Sequence, residues 1–173
     1  GKMKIEKDAL LQGRYQIEGL IGEGGMSYVY KAKDTKLGRI VAIKVLKEQY
    51  AEDKEFISKF QEEARSAAKL NHLNIVSTFD TVDEGNLHFI VMELVEGVTL
   101  KNFIQRKGRL SERESIGIAL QLIDGIDIAH KMGVIHRDIK PQNIIISTEG
   151  VVKIADFGIA GVASQEAANT AVM

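Results

Sequence analysis

The chain has 173 residues, 23 Lys and Arg against 24 Asp and Glu, a formal net charge of -1 and no cysteine. That length holds one domain or two small lobes. The near-neutral balance gives no support for a nucleic-acid or polybasic membrane surface. The missing cysteines exclude disulfides and thiolate metal sites. No apolar run is long enough to span a bilayer or to form a signal-peptide core.

Residues 1–12 read as a solvated tail, in which Lys2, Lys4 and Lys7 alternate with apolar and acidic residues. Strands follow over residues 15–21, 27–33 and 39–46. Between the first two lies Gly22-Glu23-Gly24-Gly25, too rich in glycine for regular structure. The third strand alternates: Val41, Ile43 and Val45 share one face, and Ala42, Lys44 and Leu46 share the other. Residues 52–70 have helical spacing, with Phe56, Phe60, Ala64 and Ala67 forming an apolar stripe. Residues 76–82 and 87–92 read as a hairpin around Asp83-Glu84-Gly85-Asn86. Residues 93–97 are a connector. Helices are predicted over 100–107 and 112–132, the second opened by Ser111 with Glu114 three residues on, a capping box. Short strands over 144–146 and 151–154 flank the turn Thr148-Glu149-Gly150. The pattern predicts an α+β fold: a strand-rich part with one helix up to about Gly97, then a helical part with a small hairpin.

The glycine turn runs from strand to strand. A dinucleotide-binding glycine turn opens a helix, so that reading fails on context. A strand–turn–strand can instead fold over phosphates and offer backbone N–H groups without side-chain obstruction. Lys44 lies inside an apolar strand, where an unpartnered ammonium is costly, so an anion is expected beside it. Glu63 shares the inward stripe of the helix over 52–70. Each charge alone reads as a solvated edge residue; together they read as a pair. Asp138 and Asn143 stand five residues apart on one loop. A hairpin of 13 residues returns Asp156 to Asn143, which offers oxygen ligands suited to Mg²⁺. Asp138 is left to orient an attacking hydroxyl or accept its proton, and Lys140 to neutralise charge on a transferred group. His72, His88 and His130 show no metal-ligand spacing.

The run His136-Arg137-Asp138-Ile139-Lys140-Pro141-Gln142-Asn143, followed by Asp156-Phe157-Gly158, resembles the catalytic segments of eukaryotic-like (Hanks-type) Ser/Thr protein kinases, and most of all their bacterial membrane-associated group. The resemblance extends from about Gly13 to the end. It implies a bilobal protein-kinase-like fold, with residues 1–12 a tail, 13–97 a complete N-lobe and 98–173 a partial C-lobe ending in the activation loop. It implies Mg-dependent transfer from ATP to Ser or Thr, on an unidentified protein substrate or on the chain itself. The alternative it leaves is a Mg·ATP-binding module with little transfer activity, acting through self-association or a partner. By the same resemblance, Ile21, Gly22 and Gly24 belong to the phosphate-covering loop. Val29 and Ala42 cover the adenine and Ile145 lies below it. Lys44 contacts the α- and β-phosphates and pairs with Glu63. Met92 is the gatekeeper, and the backbone of Glu93 and Val95 bonds adenine. Asp138 is the catalytic base, Lys140 meets the γ-phosphate, and Asn143 and Asp156 bind Mg²⁺. His136 and Phe157 join the hydrophobic column between the lobes. Arg137 would receive a phosphate from Thr170 or Ser164, unless those are ordinary loop hydroxyls.

Two departures stand out. Ser27 replaces the third loop glycine. The chain stops 15 residues after Gly158, before the substrate-binding segments of the family. The helix over 112–132 is apolar around nearly its whole circumference and expects burial on all sides. One face is therefore expected to be open, and to form a homodimer or another self-association. The expected location is the cytoplasm, with any membrane anchor in a longer parent chain.

Overall fold

The computed structural model describes residues 5–135 and 139–155. Six antiparallel strands form the first sheet: β1 (Leu10–Leu11), β2 (Tyr15–Glu23), β3 (Ser27–Asp34), β4 (Arg39–Leu46), β5 (Thr78–Glu84) and β6 (Leu87–Glu93), in the order β1-β2-β3-β4-β6-β5. The alternation predicted for β4 is present, and its apolar face packs Val41, Ile43 and Val45 with Tyr15, Ile17, Tyr30, Phe89 and Val91. Glu84 pairs with Leu87 across a two-residue turn in which Gly85 has φ 59°. Glycine takes that left-handed backbone without a Cβ penalty, which is why the hairpin closes there. The pairing of β2 with β3 slips twice, between Ile17 and Gly19 and between Leu20 and Gly22. Bulges of this kind increase local twist and bend the strand, here just before the glycine-rich turn.

Helix α1 (Lys54–Ala68) starts after Asp53, whose carboxylate accepts from the Glu55 N–H at 2.9 Å. Its inward stripe buries Ala64 and half-buries Phe56, Phe60, Glu63 and Ala67. The second sheet is β7 (Gly97–Thr99), β8 (Ile144–Ser147) and β9 (Val152–Ile154), in that order. A Cβ on Gly97 would lie 2.1 Å from the Ile146 carbonyl oxygen, so only glycine lets β7 approach β8 this closely. Helix α2 (Leu100–Lys107) is capped by the Thr99 hydroxyl, and α3 (Glu112–Lys131) by the predicted Ser111/Glu114 box. Against these pack Leu100, Ile144, Val152, Ile118 and Leu122, then Leu70, Ile75, Ala129 and Ile154.

Residues 72–77 form a crosspiece between the sheets. Ile75 bridges Ile154 in parallel, the Ile154 N–H donates to the Asn74 carbonyl at 2.8 Å, and the Val76 N–H donates to the Ile154 carbonyl at 2.9 Å. The Asn74 side chain donates to the Val152 carbonyl and to Gln121 Oε1, which also accepts from the Val152 N–H. The segment that leads into β5 thus serves as an added edge of the second sheet.

Candidate nucleotide site

β4 carries residues expected to form the roof of the site. Ala42 stands opposite Met92 on β6, and Lys44 stands opposite Val29 on β3 and Ile90 on β6. Directly opposed residues share a sheet face. Ala42, Val29 and Lys44 therefore lie on one surface, away from the Val41–Ile43–Val45 core, and all three are buried. Lys44 is only 1% exposed, and its ammonium has no hydrogen-bond partner among the described residues. The expected bond to Glu63 is therefore not made in this conformation; Glu63 is half-buried on α1 and engaged elsewhere. A buried, unpartnered ammonium costs several kcal/mol unless an anion reaches it. The residues present thus fit a phosphate at this point.

β8 carries the residue expected to form the floor. Ile145 is fully buried and packs with Val95, Ala155 and Val76. The connector between the sheets carries Glu93, Val95 and Gly97. The Glu93 N–H donates to the Ser77 carbonyl at 2.9 Å, so an adenine contact at Glu93 falls to its carbonyl. Among the described residues the Val95 N–H takes no backbone partner. One carbonyl acceptor and one N–H donor two residues apart match the donor–acceptor edge of an adenine.

The glycine-rich turn is held at both ends. The Gly24 N–H donates to the Ser27 carbonyl at 2.8 Å, and the Lys47 N–H donates to the Met26 carbonyl at 2.8 Å. Lys47 Nζ also meets Glu23 Oε2 at 3.1 Å and lies 5.1 Å from the centre of the Tyr28 ring. Ile21, Gly22 and Gly24 are half-buried along this turn.

Lys140 precedes a 3-10 turn, Pro141–Asn143, in which the Asn143 N–H donates to the Lys140 carbonyl at 2.9 Å. Asn143 is fully buried, and its carbonyl accepts from the Ala155 N–H at 2.8 Å. The β8–β9 hairpin thus returns the chain to Asn143 one residue before Asp156, as the spacing predicts. Asp138, Asp156, His136, Arg137, Phe157, Ser164 and Thr170 lie outside the described residues. Among the described residues no group of three or more His, Cys, Asp or Glu gathers as a metal site. The proposed Mg²⁺ pair, Asn143 and Asp156, has only its amide half in view.

Sequence reasoning missed Lys153. Its Nζ meets Glu93 Oε2 at 3.0 Å and donates to the Leu73 carbonyl at 2.9 Å. The available signal was the alternation of β9, which turns Lys153 to the side opposite Val152 and Ile154.

The protein kinase domain family model matches residues 15–173, and the chain belongs to that family. It is 50% identical over 150 residues to the serine/threonine-protein kinase PrkC of Bacillus subtilis, covering 87% of this chain and 23% of PrkC. It is 46% identical over 151 residues to a probable serine/threonine-protein kinase of Clostridium perfringens, covering 87% of this chain and 22% of that protein. Among solved structures, the PknI kinase domain of Mycobacterium tuberculosis aligns with a TM-score of 0.76 at 27% identity, covering 91% of this chain and 64% of that one. The fold is that of a protein kinase, whose strand-rich N-lobe is the six-stranded sheet. The chain spans under a quarter of these two curated relatives and about two thirds of the PknI kinase domain.

Proposed function

We propose that this chain binds Mg·ATP between the two sheets and transfers its γ-phosphoryl group to a Ser or Thr hydroxyl, its own included. The observation that carries this reading is the buried Lys44 ammonium, which has no hydrogen-bond partner among the described residues and shares a sheet face with Val29 and Ala42. The lobe boundary falls near Gly97. Glu93 and Val95 present the adenine edge, and the turn through Ile21, Gly22 and Gly24 covers the phosphates. Asp138 accepts the proton of the attacking hydroxyl. The oxygen–phosphorus bond forms as the bond to the β,γ-bridging oxygen breaks, and ADP leaves. Lys140 offsets negative charge on the transferred group. Mg²⁺ held by Asn143 and Asp156 would supply further neutralisation of the phosphates. The need for ATP fits a reaction in the cytoplasm.

Incubation with γ-labelled ATP, followed by mass spectrometry of Ser164, Thr170 and a generic Ser/Thr substrate, tests the transfer. Label is expected in the unmodified chain and not in Asp138→Asn. Absence of label, or equal label in both, contradicts transfer through this site. Binding of Mg·ATP without any label would favour the alternative, a nucleotide-binding module that acts by association.

A second observation bears on that association. Ile116, Leu120 and Ile123 on α3 are 53%, 58% and 60% exposed and lie at i, i+4 and i+7. A row at that spacing forms a single apolar stripe. We propose that a second copy of this chain covers it. Light scattering across a dilution series is expected to show a dimer that Leu120→Glu dissociates. A monomer at every concentration contradicts it.

A further inference from the structure

We propose that Lys153 is a positioning residue for the adenine, a latch that fixes the spacing between the roof and the floor of the cleft. The proposal rests on the nucleotide reading above. Lys153 stands directly opposite Ile145 across the β8–β9 ladder, so both side chains share the face that meets Val95 and Val76. Its side chain is 12% exposed. From there its ammonium holds two segments far away in sequence: Glu93 at the end of β6, and the carbonyl of Leu73 at the start of the crosspiece.

Glu93 completes the latch. One carboxylate oxygen meets Lys153 and the other accepts from the Ser77 N–H at 3.1 Å. Its backbone N–H donates to the Ser77 carbonyl. Glu93 thus ties the end of the roof sheet to Ser77 of the crosspiece and, through Lys153 on β9, to Leu73. Glu93 also carries the carbonyl proposed to meet adenine. Through β6 the latch reaches Met92, whose partner across the ladder is Ala42. Releasing Lys153 frees Glu93 and Val95 to move relative to Ile145, and loosens the grip on an adenine between them. It leaves Lys44 and the phosphate-covering turn where they are.

This separation gives a readout that a merely structural role would not move. Calorimetric titration of the full chain and of Lys153→Met would use two probes: Mg·ADP, and Mg·tripolyphosphate, which has no adenine. Lys153→Met is expected to weaken Mg·ADP by roughly tenfold, equivalent to about 1.4 kcal/mol, and to leave tripolyphosphate within about twofold. Lys153→Arg, which keeps the charge and the reach, is expected to recover most of the loss. A thermal melt of each variant confirms that it is folded. Mg·ADP binding by folded Lys153→Met that is unchanged or tighter overturns the latch, as does an equal loss for both probes. If Lys153→Met does not fold, Glu93→Gln is titrated with the same two probes: selective loss of Mg·ADP supports the latch, and unchanged binding or equal loss overturns it. Failure of the unmodified chain to bind either probe overturns the nucleotide reading itself, and the latch falls with it.

Discussion

Two buried charges in the first sheet show how opposite environments divide stability from chemistry. Lys44 is buried without a hydrogen-bond partner among the described residues, so its burial carries a cost that a bound anion would offset. Replacing it with Met, of similar length and no charge, is expected to raise unfolding stability by about 1 kcal/mol or more in urea titrations. Asp34 is equally buried but fully served. It accepts from Arg14 Nε and Nη2, both at 2.8 Å, and from the N–H groups of Lys36 and Leu37. The Arg14 bonds hold its carboxyl well below its ordinary value, against the opposing effect of burial. A depressed native pKa stabilises the fold above the unfolded-state pKa, and that stability is lost as pH falls below it. The stability gap between the unmodified chain and Asp34→Asn is therefore expected to be flat above about pH 5 and to shrink below about pH 4. A gap that stays constant down to pH 2 contradicts the role given to Arg14.

At the scale of elements, caps and close approaches decide where structure begins and which residues are tolerated. Ser111→Ala removes the acceptor for the Glu114 N–H and is expected to cost about 1 kcal/mol by chemical denaturation. Gly97→Ala places a methyl against the Ile146 carbonyl and is expected to cost about 2 kcal/mol by separating β7 from β8. The same local physics explains what could be read from the chain. The alternation of Arg39–Leu46 and the box before Glu112 located β4 and α3 to within a residue. Helicity was expected from residue 52, but Asp53 caps the helix and moves its start to Lys54. A strand was expected from residue 76. Val76 instead bonds Ile154 and Ser77 bonds Glu93, so β5 begins at Thr78. β1 and β7 have two and three residues. They exist only through their partners, and no period can reveal strands so short.

Across the whole molecule, two sheets are joined by a crosspiece and a connector, and the proposed cleft lies between them. The residues proposed to carry the chemistry, Lys44, Glu63, Lys140 and Asn143, could be picked out in the sequence because each sits in a local motif with its own spacing. The Lys153–Glu93–Leu73 latch could not be, because it joins three segments separated by 20 and by 60 residues, and the alternation of β9 tells only which side Lys153 faces. The Lys44–Glu63 bond was expected from two inward stripes, yet the stripes fix only the direction of each side chain. How close α1 brings Glu63 to β4 is a tertiary quantity that periodicity does not contain. The central claim is that the buried Lys44 ammonium awaits a nucleotide phosphate. Calorimetric titration of Mg·ATP into the full chain and into Lys44→Met tests it most directly. Saturable one-site binding to the unmodified chain is expected, with affinity lower by on the order of tenfold or more in a folded Lys44→Met. Equal affinity in the two folded chains, or no binding by the unmodified one, would contradict it.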